Sequence, residues 1–191
     1  IDRSVADLST PASIGIGLAF LAGGWIVYDL LCRSPLGRRE PILAAVMLAL
    51  CTVAAYALTQ LYSGRGAYIH FGAMLGTIMT ANVFFVIMPG QREMVRARVE
   101  GRAPDPMHAA RGKQRSVHNT YFTLPVLFTM ISNHYALFTN AKWNWLVLMA
   151  IALAGVFIRL FFTFRHRGIV KPSFWAIGIA LLAAVFVALF N

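Results

Sequence analysis

The residues able to do chemistry gather around one stretch, HNTYFTLPVLFTMISNHY, residues 118 to 135. Its centre has the composition of a membrane helix, yet it opens on His118 and Asn119 and closes on Ser132, Asn133, His134 and Tyr135. Ionisable and amide side chains are costly in hydrocarbon, so a span that carries them points to a site. An imidazole with an ordinary pKa of ~6.5 can act as a general base near neutrality. At ~100° per residue His118, Tyr121, Pro125 and Ser132 share one helical face, whereas Thr123, Leu127, Met130 and His134 share the opposite one. The two histidines therefore serve different places.

A short echo flanks this stretch. PGQR (89–92) ends one apolar run and GKQR (112–115) leads into the next, each setting glutamine beside arginine. Arginine grips an anion through two N–H groups, and glutamine both donates and accepts. Together they suit a flat anionic heterocycle bearing carbonyls and ring nitrogens. Juxtamembrane charges on a solvated loop remain the plainer reading.

The elements that must position these residues follow from composition. The chain has 191 residues, 59% hydrophobic and 13% charged, with a mean hydropathy of +0.67. Its apolar runs are about 20 residues long, enough to cross ~30 Å of hydrocarbon as helices. An all-α polytopic membrane bundle is expected, with six spans near 13–31, 42–62, 67–89, 118–138, 144–164 and 173–190, forming one domain over 1–191. Segment 90–117 reads as a polar loop broken by proline and glycine. Gly72 and Gly76 form a G-x-x-x-G that permits close helix approach.

Thirteen of the seventeen basic residues fall in alternate loops, 32–41, 90–117 and 165–172. Arg3, Arg65 and Lys142 are on the other side, and Arg159 is within a span. The positive-inside rule makes the basic loops cytoplasmic and both chain ends periplasmic. This distribution turns the net charge of +10 towards anionic headgroups rather than nucleic acid. In this frame His70 and His134 share a depth near the outer surface, and Asn82 is ~10 Å above the inner end of its span. Arg159 is close enough to a helix end to snorkel, and Asp29 can pair with Arg33 four residues on. Cys32 and Cys51 differ in depth, so a disulfide is not expected, and no C-x-x-C-H is present to attach a c-type haem. The opening IDRSVADLST has neither an initiator methionine nor a signal-peptide pattern, as expected for a piece of a longer protein.

The run YIHFGAMLGTIMTANVFFVIMPGQREMV, then GKQRSVHNTYFTLPVLFTMISNHY, with YDLLCRSPLG at 28–37, closely resembles the bacterial membrane-bound urate oxidase (urate hydroxylase) family. Chains of that family join a multi-span membrane domain to a C-terminal cytochrome c domain. The resemblance implies a bacterial inner-membrane protein that oxidises urate to 5-hydroxyisourate in purine degradation and passes the electrons to cytochrome c. This chain would be part of the membrane domain, with haem c in a cytochrome domain outside it. Urate from the cytosol would meet the basic face. There Lys113, Gln114, Arg115, Asn119, Asn82, Gln91 and Arg92 would bind it, His118 would move its proton and Tyr121 would donate or stack. At the outer end His70 and His134 could hold a b-type haem through two imidazoles, or each could bond a neighbouring carbonyl. Two other classes stay open: a transporter or channel for an anionic metabolite, which would carry urate without oxidising it, and a haem-binding electron-transfer subunit, which would show haem bands without binding urate.

Overall fold

The computed structural model describes residues 5–190. Arg3 and the terminal Asn191, both used in the topology expectation, lie outside the described residues. Helix α1 (Thr10–Arg33) is opened by Ser9, whose hydroxyl accepts from the Ala12 N–H, with Pro11 in its first turn. The hinge after α1 is a single 3₁₀ turn, Pro35–Arg38, with Ser34 capping it. Gly37 is required there, since a side chain would strike the Cys32 carbonyl. Next come α2 (Glu40–Leu61) and α3 (Gly64–Asn82), then a π turn over Val83–Ile87 that runs straight into α4 (Met88–Val99). The chain continues as α5 (Pro106–Ser132), a single turn α6 (Ala136–Thr139), α7 (Asn144–His166) and α8 (Pro172–Phe190). The protein is a helical membrane bundle.

Among the described residues, five stretches are long and apolar enough to cross a membrane: α1, α2, the run Gly64–Val99, α7 and α8. Six were expected, and the expected span 118–138 is the one that differs. It belongs to α5, a 27-residue helix whose first half carries Arg115, His118 and Asn119 and which ends at Ser132. These polar groups lower its hydropathy, yet α5 packs against both α3 and α7 inside the bundle.

The expected loop 90–117 is also corrected. Most of it is helical, because α4 runs on to Val99 and α5 begins at Pro106. The reversal between them is built locally. Gly101 takes a φ of 69° that favours glycine, Arg102 pairs with Glu93 and Glu100 at 2.6 Å each, and the Asp105 carboxylate caps the Met107 N–H at 2.8 Å.

Helix α3 is central, touching α1, α2 and α5, whereas α8 packs chiefly on α7 at the edge. The core joins Tyr28, Leu58, Tyr68, Phe71, Leu75, Ile78 and Leu148. Large apolar side chains on the outside, among them Leu18, Val53, Phe85, Met130 and Phe186, suit a lipid surround. The glycine pair behaves unevenly. A side chain at Gly72 would meet Thr129 of α5, so Gly72 sets the α3–α5 approach; Gly76 faces open space. Cys32 and Cys51 are both free thiols, as expected.

Candidate functional site

The polar residues of α1, α3 and α5 converge at the end of the bundle that carries the basic loops. Asn82, the last residue of α3, is fully buried immediately before the π turn. Pro89 accounts for that turn. It has no N–H to offer the preceding turn and its ring crowds the carbonyls there, so the helix widens and Met88 N–H bonds back to the Val83 carbonyl.

The hydrogen-bond directions around Asn82 follow from one fixed acceptor. The Met79 carbonyl can only accept, so Asn119, 3.0 Å away, must turn its Nδ2 towards it. Asn119 Oδ1 then faces Asn82 and accepts from its Nδ2 at 2.9 Å. The same amide donates to the Tyr28 hydroxyl at 3.1 Å. Having accepted there, Tyr28 directs its own proton to His118 Nδ1, 2.8 Å away. His118 consequently carries its hydrogen on Nε2, which faces Glu40 Oε2 at 3.3 Å. A continuous line thus leads from the buried Tyr28 to Glu40, whose side chain is 61% exposed. Cys32 Sγ is 4.0 Å from His118 Nδ1.

Arg115 is buried beside this line, with its guanidinium 4.7 Å over the Tyr28 ring. It is already neutralised: Nη2 donates to Asp29 Oδ1 at 2.7 Å, and Asp29 Oδ2 meets Arg33 Nε at 2.6 Å. Two buried atoms of the cluster, Arg115 Nη1 and Asn82 Oδ1, have no hydrogen-bond partner among the described residues. Buried polar groups are nearly always paired, so such orphans mark a place for a ligand or a water.

The expected site residues are thus only partly brought together. His118, Asn119, Asn82 and Arg115 form one network. Tyr121 lines a cavity of about 320 Å³ with His118, Tyr28, Glu40, Phe122 and Pro125. Gln114 is structural, donating to the Gly37 carbonyl at 2.7 Å and to Glu40 at 2.9 Å, which ties the hinge after α1 to α5. Gln91, Arg92 and Lys113 are exposed. Tyr28 and Glu40 were missed. Nothing in YDLLCR singles out its tyrosine, and Glu40 reads as a loop acid.

At the other end the two remaining histidines have separate surroundings. His70 stacks on Tyr62 with ring centroids 4.3 Å apart, places Nδ1 2.8 Å from the Gly66 carbonyl and directs Nε2 at Gly17 of α1. His134 lies beyond the end of α5 and is exposed. They do not form the cradle that a bis-imidazole haem needs.

No curated protein and no solved structure matches the chain. The family described as urate oxidase N-terminal matches residues 1–190. A match over so much of the sequence, joined to a membrane bundle whose polar residues meet at one end, establishes that this chain belongs to the urate oxidase N-terminal family.

Proposed function

We propose that this membrane domain serves the oxidation of urate to 5-hydroxyisourate, with cytochrome c as electron acceptor, and that the Tyr28–His118–Glu40 line carries protons away from the reaction. The single observation behind this role for the cluster is His118 held between a buried phenol and an exposed carboxylate at the wall of a cavity. Family membership supports the substrate class.

The overall change requires such a path. Urate and one water become 5-hydroxyisourate by loss of two electrons and two protons. The haem of a cytochrome c domain or partner would take the electrons one at a time. The protons need a basic group with an outlet to water. His118 Nδ1 can accept from Tyr28 while Nε2 releases to Glu40 and so to water; Tyr28 then takes a proton from the substrate, and a turn of the imidazole ring restores the starting tautomer for the second proton. Tyr121 borders the same cavity. Arg115, already paired with Asp29, holds the Tyr28 ring rather than gripping the substrate.

In this reading the basic loops face the bacterial cytoplasm, where the urate anion is attracted to them, and both chain ends face the periplasm. The test uses the full-length protein reconstituted in vesicles. Urate should reduce cytochrome c, and His118→Ala should slow that reduction by about 10²–10⁴ while the protein still inserts. Urate entering sealed vesicles unoxidised would instead make this protein a transporter and defeat the proposal.

A further inference from the structure

A second cavity, of about 540 Å³, opens between α3, α5 and α7. Its α5 wall is Ser116, Asn119, Thr120, Thr123 and Leu124, the face opposite His118 and Tyr121. Arg159 of α7 lines it with a buried Nε that has no hydrogen-bond partner. No carboxylate among the described residues is within ion-pair distance of Arg159. A guanidinium keeps its proton, and an uncompensated charge among membrane helices is costly. The contrast with Arg115 is direct, because that arginine has Asp29 and Arg159 has no anion among the described residues.

The rest of the wall indicates what the anion looks like. The Thr120 and Thr123 hydroxyls donate to the Ser116 and Asn119 carbonyls at 3.0 and 2.9 Å. Their oxygens remain available only as acceptors. One cationic donor with several acceptors complements a small oxyanion that also bears N–H groups. A phosphate alone would satisfy the arginine but leave the hydroxyl oxygens without donors; a headgroup that adds its own hydroxyls, as phosphatidylglycerol does, is the competitor to be separated from urate. Asn119 lines this cavity and accepts from Asn82, which donates to Tyr28, so two side chains separate an occupant from the His118 line.

We infer that the Arg159 cavity is a second binding place for the substrate, separate from the His118 cavity on the other face of α5, where it is held as an oxyanionic N–H heterocycle with Arg159 supplying the charge. This rests on the reading that urate is the substrate. The test is equilibrium binding of urate to the full-length protein in detergent, with and without added phosphatidylglycerol. Arg159→Gln should weaken urate binding roughly ten- to a hundredfold, as expected for loss of a charge-assisted contact. Thr120→Leu keeps the charge but fills the cavity, and should also weaken it, which covers an Arg159 variant that fails to fold. Lys142→Gln, which removes a positive charge on the other side of the bundle, should have no effect. Unchanged urate affinity in Arg159→Gln and Thr120→Leu would overturn the inference, as would loss of bound phosphatidylglycerol in place of urate. If the parent oxidises urate but these variants bind it normally, the site assignment alone fails. If the parent binds no urate, the functional reading fails with it.

Discussion

At the end of the bundle away from the basic loops, polar side chains bond to backbone carbonyls, most of them in their own helix; the bonds that do cross, from the Tyr62 hydroxyl to Ser13 and from the Tyr68 hydroxyl to Phe138 and Asn144, also end on carbonyls. His70 reaches the Gly66 carbonyl, Thr129 the Val126 carbonyl and Ser132 the Thr129 carbonyl, all within one turn. At the basic end the partners come from different helices. Asn82 of α3 meets Asn119 of α5 and Tyr28 of α1, His118 joins Tyr28 to Glu40, and Arg115 joins Asp29. A bond one turn back satisfies a polar group in any isolated helix and so demands nothing of the fold. A network across four helices exists only when all are assembled, and here it includes two buried orphans. Polarity in a membrane helix is therefore a weak pointer to function by itself; polar side chains that bond the polar side chains of other helices are a stronger one.

The sharpest way to break this contrast is to treat the two half-buried histidines alike. His118→Ala should lower kcat for urate-dependent cytochrome c reduction by about 10²–10⁴, the usual worth of a positioned acid–base group. His70→Ala should leave kcat within about twofold. Turnover that survives the first change and collapses with the second would reverse the assignment of the two ends.

The next effect is on stability. Asp29 and Arg115 have side chains only 10% and 3% exposed, so removing either strands a buried charge. Asp29→Ala or Arg115→Ala should each destabilise the protein in detergent by about 3–5 kcal/mol, and the double variant by much less than their sum. Arg33 is 55% exposed, and Arg33→Ala should cost under about 1 kcal/mol. Additive losses at Asp29 and Arg115 would mean that the pair is not coupled.

How much of this was legible in the sequence depends on whether the determining contact is local. The apolar runs of α1, α2, α7 and α8 are set by hydrophobicity over ~20 residues, and they read directly. Helix α5 read less well because its site residues dilute the apolar signal. The α4–α5 reversal looked like loop because its many charges hid the cap at Asp105 and the Arg102 pairs that build it. Asn82, Arg115, His118 and Asn119 stood out as polar groups in or beside apolar spans. Asp29 was legible only with Arg33, four residues on in its own helix; its pairing with Arg115 depends on α1 and α5 meeting, which no local pattern records. Tyr28 was missed for the same reason, since its importance comes entirely from what α3 and α5 bring to it.

Packing gives a smaller expected effect at the quiet end. A valine at Gly72 would meet Thr129, so Gly72→Val should cost about 1–3 kcal/mol, whereas Gly76→Ala, facing open space within a helix, should be neutral or stabilising by up to about 1 kcal/mol. Equal losses at both would restore the symmetric G-x-x-x-G contact.

The smallest prediction compares the same chemical change at both ends. The Tyr62 hydroxyl donates to the Ser13 carbonyl at 2.6 Å while its ring stacks on His70. Tyr62→Phe removes one buried hydrogen bond but keeps the ring, and Ser13 is within α1, where its carbonyl also has a helical partner to accept from. A loss of about 0.5–1.5 kcal/mol in stability is expected, with urate turnover unchanged. Tyr28→Phe deletes a hydroxyl that accepts from Asn82 and donates to His118, so it leaves Asn82 short of an acceptor and cuts the line to Glu40. Its stability cost should be similar, yet turnover should fall. Stability would then fail to distinguish the two tyrosines while turnover separates them, because only one of the hydroxyls has a proton to pass on. Equal turnover in the two variants would reduce the Tyr28 hydroxyl to a packing contact and leave His118 to exchange protons with the cavity directly.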